Sequence, residues 1–230
     1  MTIAANLETI RARIATGCLR AGRDPADVRL LAVSKTQPAG AVDEAAAAGQ
    51  RLFGENYVQE FLAKAQEVAA PVEWHFIGAL QSNKVKYLVG KVALIHSVDR
   101  LSLAQEIDRQ WGKLGKTAEI LVEVNLGEEA SKAGAGEAQL LALVREIAAL
   151  PHLRLRGLMA LPPYLDNPEA VRPYFRRLRE LSVAVAGLGL PGVEMRELSM
   201  GMSHDFEVAI AEGATLVRVG TAIFGERSYR

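Results

Sequence analysis

Lys35 stands where a nucleophile would be placed. It ends the run LLAVSK, in which four apolar residues and a serine precede it. A lysine ammonium is costly to enclose, and surroundings of low dielectric make its amine a nucleophile for carbonyls. Lysines at strand ends also pair with acids or reach solvent. Lys35 is therefore a candidate for a Schiff base, with an ordinary ion pair as the alternative.

Two turns near the C-terminus combine glycine with hydroxyl side chains, in LSMGMSHDFEVAI and RVGTAIFG. Exposed N–H groups at the start of a helix bind phosphate, Ser203 and Thr221 would add donors, and Gly201 and Gly220 allow close backbone approach. Ordinary turn geometry is the alternative for each glycine. An amine facing a phosphate site suits a phosphorylated aldehyde or the phosphorylated substrate of an aldolase, and the chemistry leaves both open.

Arg218 lies between two valines near the end of the last apolar run. If it faces the same pocket, it can donate to a ring nitrogen, and a salt bridge at the rim is the alternative. Because arginine stays protonated, the nitrogen that it meets stays unprotonated, and such a ring is a poor electron sink.

Other polar residues are less specific. Asn56 is either a ligand contact or the N-cap of the next helix. His75 either faces the ligand or is a buried structural histidine, and we interpret His96 and His204 as structural. The sequence shows no metal-ligand spacing and no assignable Ser-His-acid arrangement.

These residues must be positioned by strands that alternate with helices. Eight strand–helix units in about 200 residues predict a single α/β domain, a (β/α)8 TIM barrel whose site lies at the C-terminal strand ends. An open doubly wound sheet is the alternative, but it predicts GxGxxG where the sequence has SKTQPAG. An extra N-terminal helix is predicted by the spacing of Ile3, Leu7, Ile10 and Ile14. The eight predicted strands are 30–35, 51–54, 73–78, 93–98, 119–125, 155–160, 197–200 and 216–220.

Composition excludes several classes of function. The chain has 230 residues with 27 basic and 27 acidic side chains, so neither nucleic acid nor an anionic membrane is expected as a partner. No apolar run approaches the roughly 20 residues of a membrane span, and no signal peptide is evident. Cys18 is the one cysteine, which excludes an internal disulfide. We expect a cytoplasmic monomer with one domain over residues 1–230.

Six segments, AVSKTQP, FGENYVQE, EWHFIGALQSNK, GLMAL, ELSMGMSHDFEVAI and RVGTAIFG, together resemble the pyridoxal phosphate homeostasis protein family. That family is similar to the N-terminal barrel of alanine racemase, standing alone. The resemblance implies pyridoxal 5′-phosphate (PLP), the vitamin B6 cofactor, held as an aldimine on Lys35. It implies that Arg218 faces the pyridine nitrogen. It implies phosphate contacts at Ser203, Gly220 and Thr221, with Ser199 and Met200 close by, and a lining that includes Asn56, His75 and Met159.

The resemblance further implies a non-catalytic carrier that maintains PLP and, indirectly, amino-acid balance, with PLP-dependent apoenzymes as candidate partners. A racemase needs an acid–base group on each face of the cofactor. In alanine racemases a second domain supplies one of them, and this chain ends five residues after Gly225. We therefore expect no catalytic residues. A weak PLP-dependent amino-acid racemase is the alternative function, and a cofactor-free aldolase is the third.

Overall fold

The computed structural model describes residues 2–127 and 134–225. The barrel strands are β1 Arg29–Val33, β2 Leu52–Glu55, β3 Glu73–Phe76, β4 Leu94–Val98, β5 Ala118–Asn125, β6 Leu153–Met159, β7 Val193–Ser199 and β8 Leu216–Val219. They form one parallel sheet in the order β4-β3-β2-β1-β8-β7-β6-β5, which closes because β4 also pairs with β5. The predicted barrel is confirmed, and the open sheet is wrong. A short strand at Ala135–Gly136 extends the edge of β5.

Helical segments follow the strands and cover the outside of the barrel. A 3-10 helix, Ser82–Tyr87, occupies the position after β3, and shorter 3-10 turns lie at Pro25–Asp27 and Pro168–Val171. The α-helices are α1 Ile3–Arg20, α2 Ala39–Ala47, α3 Val58–Glu67, α4 Leu101–Gly112, α5 Glu137–Ala148, α6 Arg172–Ala186, α7 Phe206–Ala211 and α8 Thr221–Phe224.

Apolar side chains form two separate layers, because successive residues of a strand point to opposite faces. The larger layer lies between the sheet and the helices. The smaller layer fills the barrel interior. Only every second strand residue reaches that interior, so few positions are available for a site there. The inner layer consists of Leu31, Leu52, Ile77, Leu94, Leu121, Met159 and Leu216.

The predicted extra N-terminal helix is α1, and it packs against α7 and α8. It buries one apolar stripe, and the Asn6 side chain donates to the carbonyl of Ile223 at 2.8 Å. Arg23 adds bonds to the carbonyls of Ile210 and Ala214 at 2.7 and 2.8 Å. This helix therefore supports the last two strand–helix units from outside. Within the described ranges, no helix has the length and apolarity to cross a membrane.

Candidate functional site

Lys35 and the turn after β8 lie side by side at one end of the barrel. Strands β1 and β8 pair directly, with Ala32 opposite Val219, although the two residues are far apart in sequence. As a result Lys35, Gly220 and Thr221 line one small cavity. Lys35 is half-buried, and the loop after β7 carries Ser203, which is also half-buried. The barrel thus brings the predicted nucleophile and one predicted phosphate turn together.

The two hydroxyl groups predicted to bind phosphate are available to a ligand. Among the described residues, the side chains of Ser203 and Thr221 make no hydrogen bond. The glycines beside them keep the turns close to their neighbours. Gly201 has a φ of +88°, and a Cβ there would lie 2.6 Å from the Cβ of Ala209. Gly220 approaches the carbonyl of Val33 in the same way, with a Cβ position 3.2 Å away.

Both peptide groups that flank Lys35 are held by one helix. The Lys64 ammonium on α3 donates to the carbonyl of Ser34 at 2.6 Å, and the amide of Thr36 donates to the Glu60 carboxylate. Lys64 also contacts Glu55 at 2.6 Å and Glu60 at 2.9 Å. We call Ser34, Glu55, Glu60 and Lys64 the lysine clamp.

The lysine clamp is almost inaccessible to solvent at its centre, where the Glu55 side chain is 0% exposed and that of Lys64 4%. Burial raises the pKa of the Glu55 carboxyl, and the nearby Lys64 ammonium opposes this increase. The Ser34 hydroxyl donates to the same carboxylate at 2.6 Å. This network was not predicted from the sequence, although the spacing of Glu60 and Lys64 on a predicted helix indicated an ion pair.

Arg218 points into the barrel rather than toward its rim. Its Nη1 donates to Ser199 Oγ at 2.5 Å, and its Nη2 donates to the carbonyl of Ala160 at 2.9 Å. Burial lowers the pKa of the guanidinium to about 10, while the nearby Glu123 and Asp205 oppose the decrease. Arg218 is therefore charged at neutral pH and keeps N–H groups for a further acceptor.

The pKa of Glu123 lies close to neutral pH, which is the range expected of a proton-transfer group. Burial and the charge of Asp99 raise its pKa to about 7, against the opposing effect of Arg218. The side chain is 4% exposed and lies on β5. Sequence analysis did not single it out. Its position on a barrel strand between two apolar residues was the available signal.

The remaining predicted residues separate into different layers. Met159 lies in the inner apolar layer and is the last residue of β6. Met200 packs in the outer layer instead, and its amide donates to the carbonyl of Leu216, so the structure does not bring it to the cavity. Ser199 faces inward but is engaged by Arg218. These two consecutive residues differ because a strand alternates its faces.

His75 is bonded at both ring nitrogens within the barrel. Its Nδ1 lies 2.8 Å from His96 Nε2, and its Nε2 lies 3.1 Å from Glu73 Oε1. It lines a cavity at the N-terminal strand ends, together with Glu73 and Arg29, and not the cavity of Lys35. Burial lowers the pKa of both histidines, so both are neutral at neutral pH.

Asn56 follows β2 at the same end as Lys35 and is half-buried. Its Oδ1 is buried and has no hydrogen-bond partner among the described residues. Gly78 lies so close that a Cβ there would be 2.1 Å from the Asn56 carbonyl oxygen. This close contact restricts the backbone at Asn56. The buried Oδ1 is a polar atom that a ligand can satisfy.

The donors of this site suit an organic phosphate with an aldehyde and a ring nitrogen. Lys35 supplies the amine, Ser203 and Thr221 supply hydroxyl groups, and Arg218 supplies a cation inside the barrel. The described residues hold no cluster of three or more side chains that could bind a metal ion. The amine, the two hydroxyl groups and the buried cation together fit the functional groups of an organic phosphate.

Comparison with known proteins identifies the family. The profile described as alanine racemase, N-terminal domain, matches residues 2–228. The pyridoxal phosphate homeostasis protein of Aquifex aeolicus is 49% identical, with 100% of both chains covered. Its Pseudomonas aeruginosa namesake is 50% identical over 99% of this chain and 97% of the relative.

Solved structures show the same barrel. PipY of Synechococcus elongatus PCC7942, with PLP bound, has a TM-score of 0.86 and 39% identity over 97% of this chain and 100% of its own. Alanine racemase of Corynebacterium glutamicum shares the fold at 16% identity, with a TM-score of 0.73 over 96% of this chain and 62% of its own. The chain therefore belongs to the pyridoxal phosphate homeostasis protein family, whose barrel is of the alanine racemase N-terminal type.

Proposed function

We propose that this protein holds PLP as a Schiff base on Lys35 and serves as a carrier that maintains the PLP supply of the cell. The observation that carries the proposal is that Lys35 lies beside the turn of Gly220 and Thr221 at one end of the barrel. A relative with 39% identity over its whole length has been solved with PLP bound, which supports the same ligand here.

Each described residue has a distinct proposed role. The Lys35 amine would condense with the aldehyde of PLP, whose oxygen would leave as water, and the lysine clamp fixes the backbone on both sides of Lys35. The hydroxyl groups of Ser203 and Thr221 and the turn at Gly220 bind the phosphate. Asn56 and Met159 border the ring. When bound, PLP supplies an aldehyde and an electron-accepting ring.

Arg218 is proposed to meet the pyridine nitrogen, and this contact favours a carrier over an enzyme. A guanidinium only donates hydrogen bonds, so it selects the unprotonated nitrogen. A pyridine without its proton stabilises a carbanion poorly, which restrains chemistry at the amino-acid Cα. Five relatives with 46 to 50% identity, from Aquifex aeolicus, Pseudomonas aeruginosa and three strains of Escherichia coli, are named as homeostasis proteins, which also supports this choice.

A chemical trap tests the covalent link. Purified protein reconstituted with PLP should show visible absorption, and borohydride should fix a pyridoxyl group on Lys35 in the digested protein. Lys35→Ala should abolish both signals. Lys91→Ala, at an exposed lysine, is the control and should retain them. A protein that takes up no PLP, or an adduct on another lysine, would refute the proposal.

The alternative function, a weak amino-acid racemase, predicts exchange of the Cα hydrogen in deuterated water above the rate of free PLP. The carrier predicts none above that rate across a panel of amino acids. A carrier should also hand PLP to an apoenzyme, with recovery of that enzyme's activity as the readout. We further propose a cytoplasmic monomer, which light scattering on the loaded protein and cell fractionation would check.

A further inference from the structure

Five polar side chains form a continuous hydrogen-bonded chain through the barrel interior. Arg218 Nη1 lies 2.5 Å from Ser199 Oγ, and Ser199 Oγ lies 2.9 Å from His96 Nδ1. His96 Nε2 lies 2.8 Å from His75 Nδ1, and His75 Nε2 lies 3.1 Å from Glu73 Oε1. We call these residues the barrel chain.

The barrel chain connects the proposed cofactor site to the opposite end of the barrel. Arg218, Ser199, His96 and His75 are at most 4% exposed. The Glu73 side chain is 53% exposed and lines a cavity of about 160 Å³ at the N-terminal strand ends. One end of the chain is thus enclosed and the other meets solvent.

Donor and acceptor roles leave one direction for every bond. A carboxylate only accepts, so His75 Nε2 donates to Glu73, and His75, being neutral, accepts at Nδ1. His96 Nε2 must then donate to His75, which leaves His96 Nδ1 as the acceptor for the Ser199 hydroxyl. Arg218 donates to the oxygen of Ser199. All four bonds therefore point from the guanidinium to the carboxylate.

A chain of aligned hydrogen bonds in a medium of low dielectric is polarised as a unit. The cation at one end and the anion at the other polarise it in the same sense. A reversed histidine would set two N–H groups against each other or leave two acceptors facing, and a buried unsatisfied group is unfavourable. Because the barrel chain has one consistent arrangement, it also restricts the orientation of the guanidinium.

We infer that Glu73, His75, His96 and Ser199 are positioning residues for Arg218. They hold its guanidinium toward the pyridine nitrogen of PLP and transmit the charge of a carboxylate on the far side of the barrel to that contact. The inference rests on the proposed function, in which Arg218 meets the ring nitrogen.

The direction of the chain can be measured without PLP. In the ligand-free protein with ¹⁵N-labelled histidine, long-range ¹H–¹⁵N correlation reports which ring nitrogen carries the proton. We expect His75 and His96 both to be protonated at Nε2 only. A proton at Nδ1 on either ring would overturn the inference.

The transmitted charge is tested by Glu73→Gln against Glu119→Gln. Both residues line the same cavity, but Glu119 pairs with Arg156 outside the barrel chain. Glu73→Gln should shift the His96 ¹⁵N resonances and the absorption maximum of bound PLP, and it should speed PLP dissociation roughly threefold. Glu119→Gln should leave all three unchanged. Identical behaviour of the two variants would overturn the inference.

Ser199→Ala removes the bond nearest the cofactor, with Ser97→Ala as the matched control. Ser97 is buried, and its Oγ has no partner among the described residues. Ser199→Ala should speed PLP dissociation about tenfold and displace the absorption maximum, because a bond to a charged donor is lost, whereas Ser97→Ala should do neither. Absence of PLP uptake by the wild-type protein would refute the proposed function. The histidine tautomers of the ligand-free protein would still test the direction of the hydrogen bonds in the barrel chain. Uptake with unchanged spectra and rates in Ser199→Ala would refute the inference alone.

Discussion

Removing the ammonium from the lysine clamp should both destabilise the protein and weaken PLP binding. The substitution is Lys64→Met, which keeps a linear side chain of similar volume. It leaves the fully buried Glu55 carboxylate without its cation, and the Ser34 carbonyl loses one of its two donors and keeps only the amide of Gln37. Breaking a buried ion pair in this way lowers the free energy of unfolding by about 3 to 5 kcal/mol, because one charge is left uncompensated.

Two further variants separate the charge from the packing. Glu55→Gln combined with Lys64→Met removes both charges, so most of the lost free energy of unfolding should return. The loss in Lys64→Met should also shrink as the pH falls, because burial raises the pKa of Glu55 and protonation then removes its charge. Denaturant unfolding of the PLP-free proteins at pH 7.5 and pH 6 measures both effects, and Lys91→Met is the surface control.

Binding of PLP distinguishes stability from positioning. In the double variant the Ser34 carbonyl still lacks its charged donor and keeps only the Gln37 amide, so the backbone before Lys35 is less restrained even though stability is restored. We expect PLP to bind that variant about tenfold more weakly, the equivalent of one hydrogen bond to a charged donor. This expectation is wrong if Lys64→Met lowers the free energy of unfolding by less than about 1 kcal/mol, well below the loss for a buried pair. It is also wrong if the rescued double variant binds PLP normally.

Three other sites give independent expectations. Gly201→Ala forces a Cβ to 2.6 Å from that of Ala209 at a φ of +88°, which should lower the free energy of unfolding by about 2 to 5 kcal/mol. Gly40→Ala, at a position in α2 with open space around it, is the control and should cause no loss, because alanine is favoured over glycine in a helix. Burial raises the Glu123 pKa from 4.5 to about 7, so the folded state holds a proton that the unfolded state releases. The stability of the wild-type protein relative to Glu123→Gln should therefore fall by about 3 kcal/mol as the pH rises through that range, and a constant difference in the unfolding curves would contradict this. Burial tends to raise the Glu212 pKa, but the arginines bonded to it outweigh this and lower it. Glu212→Gln should lower the free energy of unfolding by about 2 kcal/mol at pH 7 and by progressively less in acid, as the wild-type carboxylate protonates. An equal loss at pH 7 and in acid would refute this.

Much of the fold was predictable because the eight apolar runs alternate with helical stretches. Each run is short and nearly continuous, as in strands that are covered on both faces. Once a closed parallel barrel is inferred, every strand must end at the same rim. The approach of Lys35 to Thr221 therefore followed from two strand ends and the pairing of the first strand with the last.

The alternation of side chains between the two faces of a strand was a further signal in the sequence, and it separates neighbouring residues. Ser199 and Met200 are consecutive, so both could not face the interior, and the structure divides them between the inner and outer layers. His75 and Arg218 show a different difficulty. Both face inward, yet they lie at different depths, and depth depends on how the strands are staggered around the barrel.

The amino-acid sequence by itself determined the eight strands, the extra N-terminal helix and the residue types gathered at the strand ends, because these depend on local periodicity and chain order. Only the tertiary structure decided that Glu60 and Lys64 hold the backbone around Lys35, and that Glu73 is linked to Arg218 through the interior. Those contacts join side chains from separate strands and helices. Hydrogen bonds form only within about 3 Å, and barrel closure with one particular stagger sets distances on that scale.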